Sequence, residues 1–234
     1  MSESVSEGES GSSETPSNTN PIFNLTTIIN SQQTYDITDV PGTVSEVWNG
    51  FHVDKAWSIT MKITTPSFLG NNGTRVKWIE MPAANSTTAY LEIRVGSSGG
   101  FWNVNWAGVT WSAYVAFAVG TVAPSKEYHI AMAYDPSDYI GGNSPTAPDL
   151  NASGTNSSNP ETQTNSDLKF YVKNITDSGS WSLPDFHTSI EDQWDENDTI
   201  GTLSTSLTLG PASGDGSAID IKLWNKTLTS SDLP

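Results

Sequence analysis

From Trp57 the chain alternates with period two: Trp57, Ile59, Met61 and Ile63 are apolar, and Ser58, Thr60, Lys62 and Thr64 between and after them are polar. Successive residues of an extended strand face opposite ways, so this pattern predicts a strand with one buried face, ended by Pro66. Further strand segments are predicted at Phe23 to Ile29, Val44 to Val53, Val76 to Glu80, Ala89 to Val95, Phe101 to Trp106 and Thr110 to Val119. The series continues with Tyr128 to Tyr134, Leu168 to Val172, Leu203 to Leu209 and Ile219 to Trp224. Clusters such as Gly70-Asn71-Asn72-Gly73 and Ser97-Ser98-Gly99-Gly100 separate them, as turns require. Many short strands with no long amphipathic helix between them predict an all-β fold, a two-sheet antiparallel jelly-roll sandwich over residues 21–234. In its last strand Ile219, Ile221 and Leu223 fall on one face, and Asp220, Lys222 and Trp224 on the other.

Two stretches fall outside this rhythm. Residues 1–20 hold Glu3, Glu7, Glu9 and Glu14, no basic group and almost no apolar surface, so nothing offsets the entropy of ordering them. They are expected to be a disordered acidic tail that docks on a scaffold or capsid protein. Residues 139–166 are almost all turn formers, which predicts a long surface loop between two paired strands.

Charge narrows the partners. Ten Lys and Arg against 26 Asp and Glu give a formal charge of −16, which argues against nucleic acid and against anionic membrane surfaces. Acidity of this kind serves solubility or a salty medium, with a calcium surface or a basic partner as the alternative. No cysteine is present, so disulfides and thiolate metal sites are excluded. No apolar run reaches the roughly 18 residues a spanning helix needs, and residues 1–20 lack the basic and apolar regions of a secretory signal. An extracellular location is then expected to be reached by another route, such as release inside an assembled particle.

Three segments of the second half carry a family likeness. Glu127 to Asp135 (EYHIAMAYD) and Leu168 to Val172 (LKFYV) are followed by Ile219 to Leu228 (IDIKLWNKTL). Together they resemble, in the family's order, strands of the concanavalin A-like, laminin-G-like jelly-roll superfamily. After the second segment Lys173-Asn174 replaces the family's usual tight turn to glycine. The resemblance implies a jelly-roll sandwich that works as a carbohydrate-binding or adhesion module.

Catalysis finds little support. Retaining glycosidases need two carboxyl groups about 5–5.5 Å apart, which relatives of this family supply along one strand. The nearest match, Glu196 to Gly201, lacks the third carboxylate of that pattern, sits in the acidic run Asp185 to Asp198, and itself reads as a solvated loop. His52, His129 and His187 show no metal or catalytic spacing, and His129 reads as a buried, satisfied imidazole. No catalytic residues are assigned. Calcium is the one cofactor considered, since carboxylates and loop carbonyls suffice to hold it, with Asp135, Asp138 and Asp215 as candidate ligands.

A glycan site needs an aromatic ring for the sugar's apolar face and amides for its hydroxyls. Phe101, Trp102, Asn103, Asn105 and Trp106 offer both. Alternation sets Trp102 and Trp106 on one face of that strand and Phe101, Asn103 and Asn105 on the other, and leaves open which face is core. The expected function is a non-enzymatic, glycan-binding exterior protein of a virus particle. A free lectin-like protein and a divergent glycoside hydrolase are the alternatives.

Overall fold

The computed structural model describes residues 20–36, 56–67, 76–83, 86–95, 102–107, 112–117, 122–135, 168–183, 186–192, 206–211 and 215–234. The strands among them are β1 (Phe23–Leu25), β2 (Gln33–Asp36), β3 (Trp57–Thr64), β4 (Val76–Ala83), β5 (Ser86–Val95) and β6 (Trp102–Ala107). They continue with β7 (Ser112–Phe117), β8 (Glu127–Tyr134), β9 (Leu168–Asn174), β10 (Phe186–Asp192), β11 (Ser206–Leu209) and β12 (Ser217–Trp224). The fold is all-β, a sandwich of two antiparallel sheets of jelly-roll type, as the alternation predicts. One sheet has five strands in the order β1-β12-β3-β8-β9, and the other has seven in the order β10-β7-β6-β5-β4-β11-β2. The three segments that carry the family likeness become β8, β9 and β12, all in the smaller sheet beside β3.

Strand register shows why this sheet holds together. Phe23, Leu223, Ile59, Met132 and Phe170 stand opposite one another in one row across all five strands. Each is at most 1% exposed. Burying one such side chain contributes about 1.5–3 kcal/mol, so this row alone matters against a typical total of about 5–15. The larger sheet contributes Trp78 and Ile79 of β4 and Leu207 and Leu209 of β11, all fully buried. Trp78 and Ile79 are neighbours in sequence, and both turn inward because the register with β5 shifts between Lys77 and Ile79. Such a bulge sets two residues against one and breaks the strict alternation.

The structure corrects the sequence reading in several places. Strand β3 is buried on both faces, not one: Ser58 and Thr60 are 0% and 4% exposed. The cause is the segment after β12, which lies over them, and Leu228 is itself buried. In β12 the core residues are Ala218, Ile221 and Leu223, while Ile219 is half-buried. A register shift between Ile219 and Lys222 moves Ala218 into the slot that simple alternation gives to Ile219. Phe186–Asp192, within the acidic run and outside the predicted strand segments, is strand β10 and pairs with β7. Its Phe186 and Ile190 are β-formers that the surrounding carboxylates obscure. Strand β2 was not anticipated, being short and polar. Residues 1–19, Val44 to Val53 and the long loop at 139–166 lie outside the described residues.

Candidate functional site

Of the glycan candidates, Phe101 lies outside the described residues, and Trp102, Asn103, Asn105 and Trp106 all lie on β6. This strand is interior, paired with β5 on one side and β7 on the other. Val104 stands opposite Ile93 and Val115, and Trp106 opposite Leu91 and Ala113. Ile93 in turn stands opposite Ile79, which is fully buried. The alternate positions form two polar pairs, Asn103 with Arg94 and Asn105 with Glu92, and Asn105 also stands opposite Tyr114. Rows alternate between the two faces of a sheet, so positions 103 and 105 fall in the rows that alternate with the row of Ile79.

Two of the three calcium candidates, Asp135 and Asp215, are among the described residues. Asp135 follows β8 directly, and Asp138 lies outside the described residues. The Asp215 carboxylate accepts the Ser67 backbone N–H at 2.7 Å, and this bond holds its pKa below the usual carboxylate value. Among the described residues no three His, Cys, Asp or Glu side chains group as a metal site would require. Glu196 also lies outside the described residues.

A cavity that the sequence did not reveal lies on the outer face of the five-stranded sheet. Its floor is two neighbouring rows of the strand register. Lys62, His129 and Lys173 stand opposite one another on β3, β8 and β9. In the next row Lys222 of β12 stands opposite Thr60 of β3. Trp224 and Asp220 line one side, Ile175 another, and Leu228, Asp232 and Pro234 of the last segment close it into a cavity of about 330 Å³.

That last segment is tied down at several points. The Ser58 hydroxyl donates to the Lys226 carbonyl at 2.7 Å and accepts the Leu228 N–H at 2.9 Å. The Thr227 hydroxyl donates to the Tyr134 carbonyl at 2.8 Å, and the Trp181 indole donates to the Pro234 carbonyl at 2.9 Å. Leu233 and Trp181 pack against buried Ala131, Ala133 and Tyr171.

Electrostatics inside the cavity are uneven. Lys62 donates to Asp220 at 2.6 Å, and Asp220 holds φ 54°. That left-handed conformation is tolerated by Asp better than by most residues, and here it accompanies the bulge. Asp220 thus ties β12 to β3 through Lys62. Asp232 accepts the Thr229 N–H and hydroxyl, both at 2.7 Å. Lys173 lies 5.9 Å from the Trp181 ring centroid and donates to the Pro234 oxygen at 3.4 Å, and the Lys222 side chain makes no hydrogen bond or ion pair among the described residues. His129 is 5% exposed, with its ring 4.8 Å from that of Trp181. Burial, then the charges of Lys62 and Lys173, push its pKa down from 6.5 to about 4. Near neutral pH it is therefore an uncharged imidazole among three lysines. Sequence reasoning missed these lysines because they are distant in the chain. The available signal was that Lys62 and Lys222 sit at polar positions of strands whose other face is apolar.

No protein-family model and no curated protein matches the chain. Among solved structures it is similar to the CBM40 of Ruminococcus gnavus IT-sialidase, bound to α2,3-sialyllactose, at 9% identity and a TM-score of 0.51. That match covers 92% of this chain and 97% of the other. It is also similar to the botulinum neurotoxin serotype D ligand-binding domain in complex with N-acetylneuraminic acid, at 12% identity and a TM-score of 0.49, over 91% of this chain and 42% of that one. The botulinum neurotoxin D receptor-binding domain gives 11% identity and a TM-score of 0.47, over 89% and 41%. The chain thus spans about two fifths of the toxin domains' length. At such identities the likeness is one of fold, a β-sandwich.

Proposed function

We propose that this protein is a non-catalytic carbohydrate-binding sandwich carried on the exterior of a virus particle, and that it reads glycans with the outer face of its seven-stranded sheet. The support for this reading is the strand register, which sets Arg94 opposite Asn103 and Glu92 opposite Asn105, with Tyr114 next in the same row, in rows that alternate with that of Ile79. Sugar hydroxyls are bound by amides, carboxylates and guanidinium groups, and a sugar's apolar face by an aromatic ring. These residue types meet on adjacent interior strands, where the backbone is held on both sides and binding orders little further. The CBM40 match supports the fold part of the reading, as a sandwich that covers this chain nearly end to end and was seen with a sialyllactose. The exterior role rests on the acidic residues 1–20, whose glutamates suit a basic patch on a scaffold or capsid protein.

A glycan array with the full chain and with Asn103→Ala and Asn105→Ala tests the binding. Retention of at least one glycan, lost in both variants with an unchanged thermal midpoint, is the expected result. Retention unaffected by either variant, or turnover of any bound polysaccharide, would overturn it. Deleting residues 1–20 tests the exterior role: incorporation into particles should be lost while the thermal midpoint stays, since termini without packed contacts are cheap to remove. Full occupancy by the shortened chain would move attachment to the sandwich itself.

A further inference from the structure

We infer that the cavity floored by Lys62, His129, Lys173 and Lys222 is a binding site for a small hydroxylated monocarboxylate of the sugar-acid class. It lies on the smaller sheet, whereas Asn103 and Asn105 lie on the larger, so this site stands or falls separately from the glycan face.

Charge carries the first step. The protein as a whole has a formal charge of −16, yet three of its ten basic residues converge on this one cavity. Lys222 on β12 and Lys173 on β9 are three strands apart, about 14 Å between backbones at a spacing of roughly 4.8 Å, a gap that two long, flexible lysine side chains can narrow from both ends. Of the two lining carboxylates, Asp220 is engaged by Lys62 and Asp232 by Thr229. Lys222 is left without a side-chain partner among the described residues, and Lys173 makes a long 3.4 Å hydrogen bond to the Pro234 oxygen and has no Asp or Glu partner there. Two ammonium groups facing one small volume are complementary to a single carboxylate with two oxygens.

Shape and polarity narrow the ligand further. At about 330 Å³ the cavity is at the small end of ligand sites, which suits one ring and not a chain. Neutral His129, with one donor and one acceptor nitrogen, and the Thr60 hydroxyl suit a body that carries hydroxyl groups. Trp224, Ile175 and Leu228 offer an apolar wall for the C–H face of such a body. A dianion such as a phosphate monoester fits less well. Asp220 and Asp232 stand beside it, and no arginine among the lining residues supplies a two-pronged contact.

Calorimetric titration of the full chain with glucuronic acid, its uncharged methyl ester and glucose 6-phosphate tests the assignment, with the His129 ring resonances as a second readout. Glucuronic acid should bind and shift those resonances. The methyl ester and the phosphate should bind at least about tenfold more weakly, the loss expected from about 1.4 kcal/mol. Lys222→Ala and Lys173→Ala should each weaken glucuronic acid by a similar factor without moving the thermal midpoint, and Lys169→Ala, which lies outside the cavity, should not. Equal binding of the acid and its ester, tighter binding of the phosphate, or no heat and no His129 shift up to about 10 mM acid, weaker than the millimolar end of measured affinities, would each overturn it.

Discussion

Ser58 and Lys226 are 168 positions apart in the chain, and the Ser58 hydroxyl donates to the Lys226 carbonyl over 2.7 Å. The same oxygen accepts the Leu228 N–H, so one fully buried hydroxyl satisfies two backbone groups of the segment that roofs the smaller sheet. Ser58→Ala leaves both groups without this partner in a dry setting, and such losses cost about 1–3 kcal/mol. Chemical denaturation should show that decrease with an unchanged slope. A decrease below a few tenths would mean that water replaces the hydroxyl.

Removal of the chain from Ser217 onward should abolish cooperative folding. It strips Ala218, Ile221 and Leu223 from the core and takes away the strand that lies between β1 and β3. Two large buried aliphatics at about 1.5–3 kcal/mol each, with the lost pairing added, approach a typical total stability. A sharp thermal transition in the shortened chain would contradict the placement of β12.

His129 makes stability depend on pH in a window set by its two pKa values. The unfolded side chain takes up a proton near 6.5, and the folded one only near 4. Between these values the unfolded chain binds more protons, so stability falls as the pH drops from about 6.5 to about 4. The full loss is on the order of 3 kcal/mol from this group, at 1.36 kcal/mol per pKa unit. His129→Gln should remove that part of the acid sensitivity. Urea midpoints of both proteins at about pH 7 and about pH 4.5 give the comparison, and equal drops would show that His129 is not the cause.

Gly210 should not tolerate alanine. Its φ is +99°, and an added Cβ would meet the Ser31 carbonyl oxygen at 2.6 Å and the Ile29 side chain at 2.7 Å. Its N–H also donates to the Trp78 carbonyl, so the backbone there is fixed by the neighbouring strand. Strain of this kind costs about 1–3 kcal/mol, and Gly210→Ala should lower the denaturation midpoint accordingly. A variant as stable as the wild type would show that the turn after β11 rearranges freely.

The sequence by itself determined the all-β class and most of the strands. Period-two alternation and turn residues are local signals, read within a few positions, and Trp57 to Ile63 shows them plainly. It also marked Ile219 to Trp224 as a strand of the sandwich, now seen between β1 and β3. What it could not determine depends on partners far along the chain. Ser58 and Thr60 read as solvent-facing because nothing near them in sequence announces a roof that begins at Lys226. Ile219 read as core because a bulge is a property of two paired strands. On β6 the alternation separated the tryptophans from the asparagines, and only the register through β5 relates those rows to buried Ile79, two strands away. The lysine cavity was out of reach for the same reason. Lys62, Lys173 and Lys222 are far apart in the chain, and only the pairing order β12-β3-β8-β9 brings them to one face.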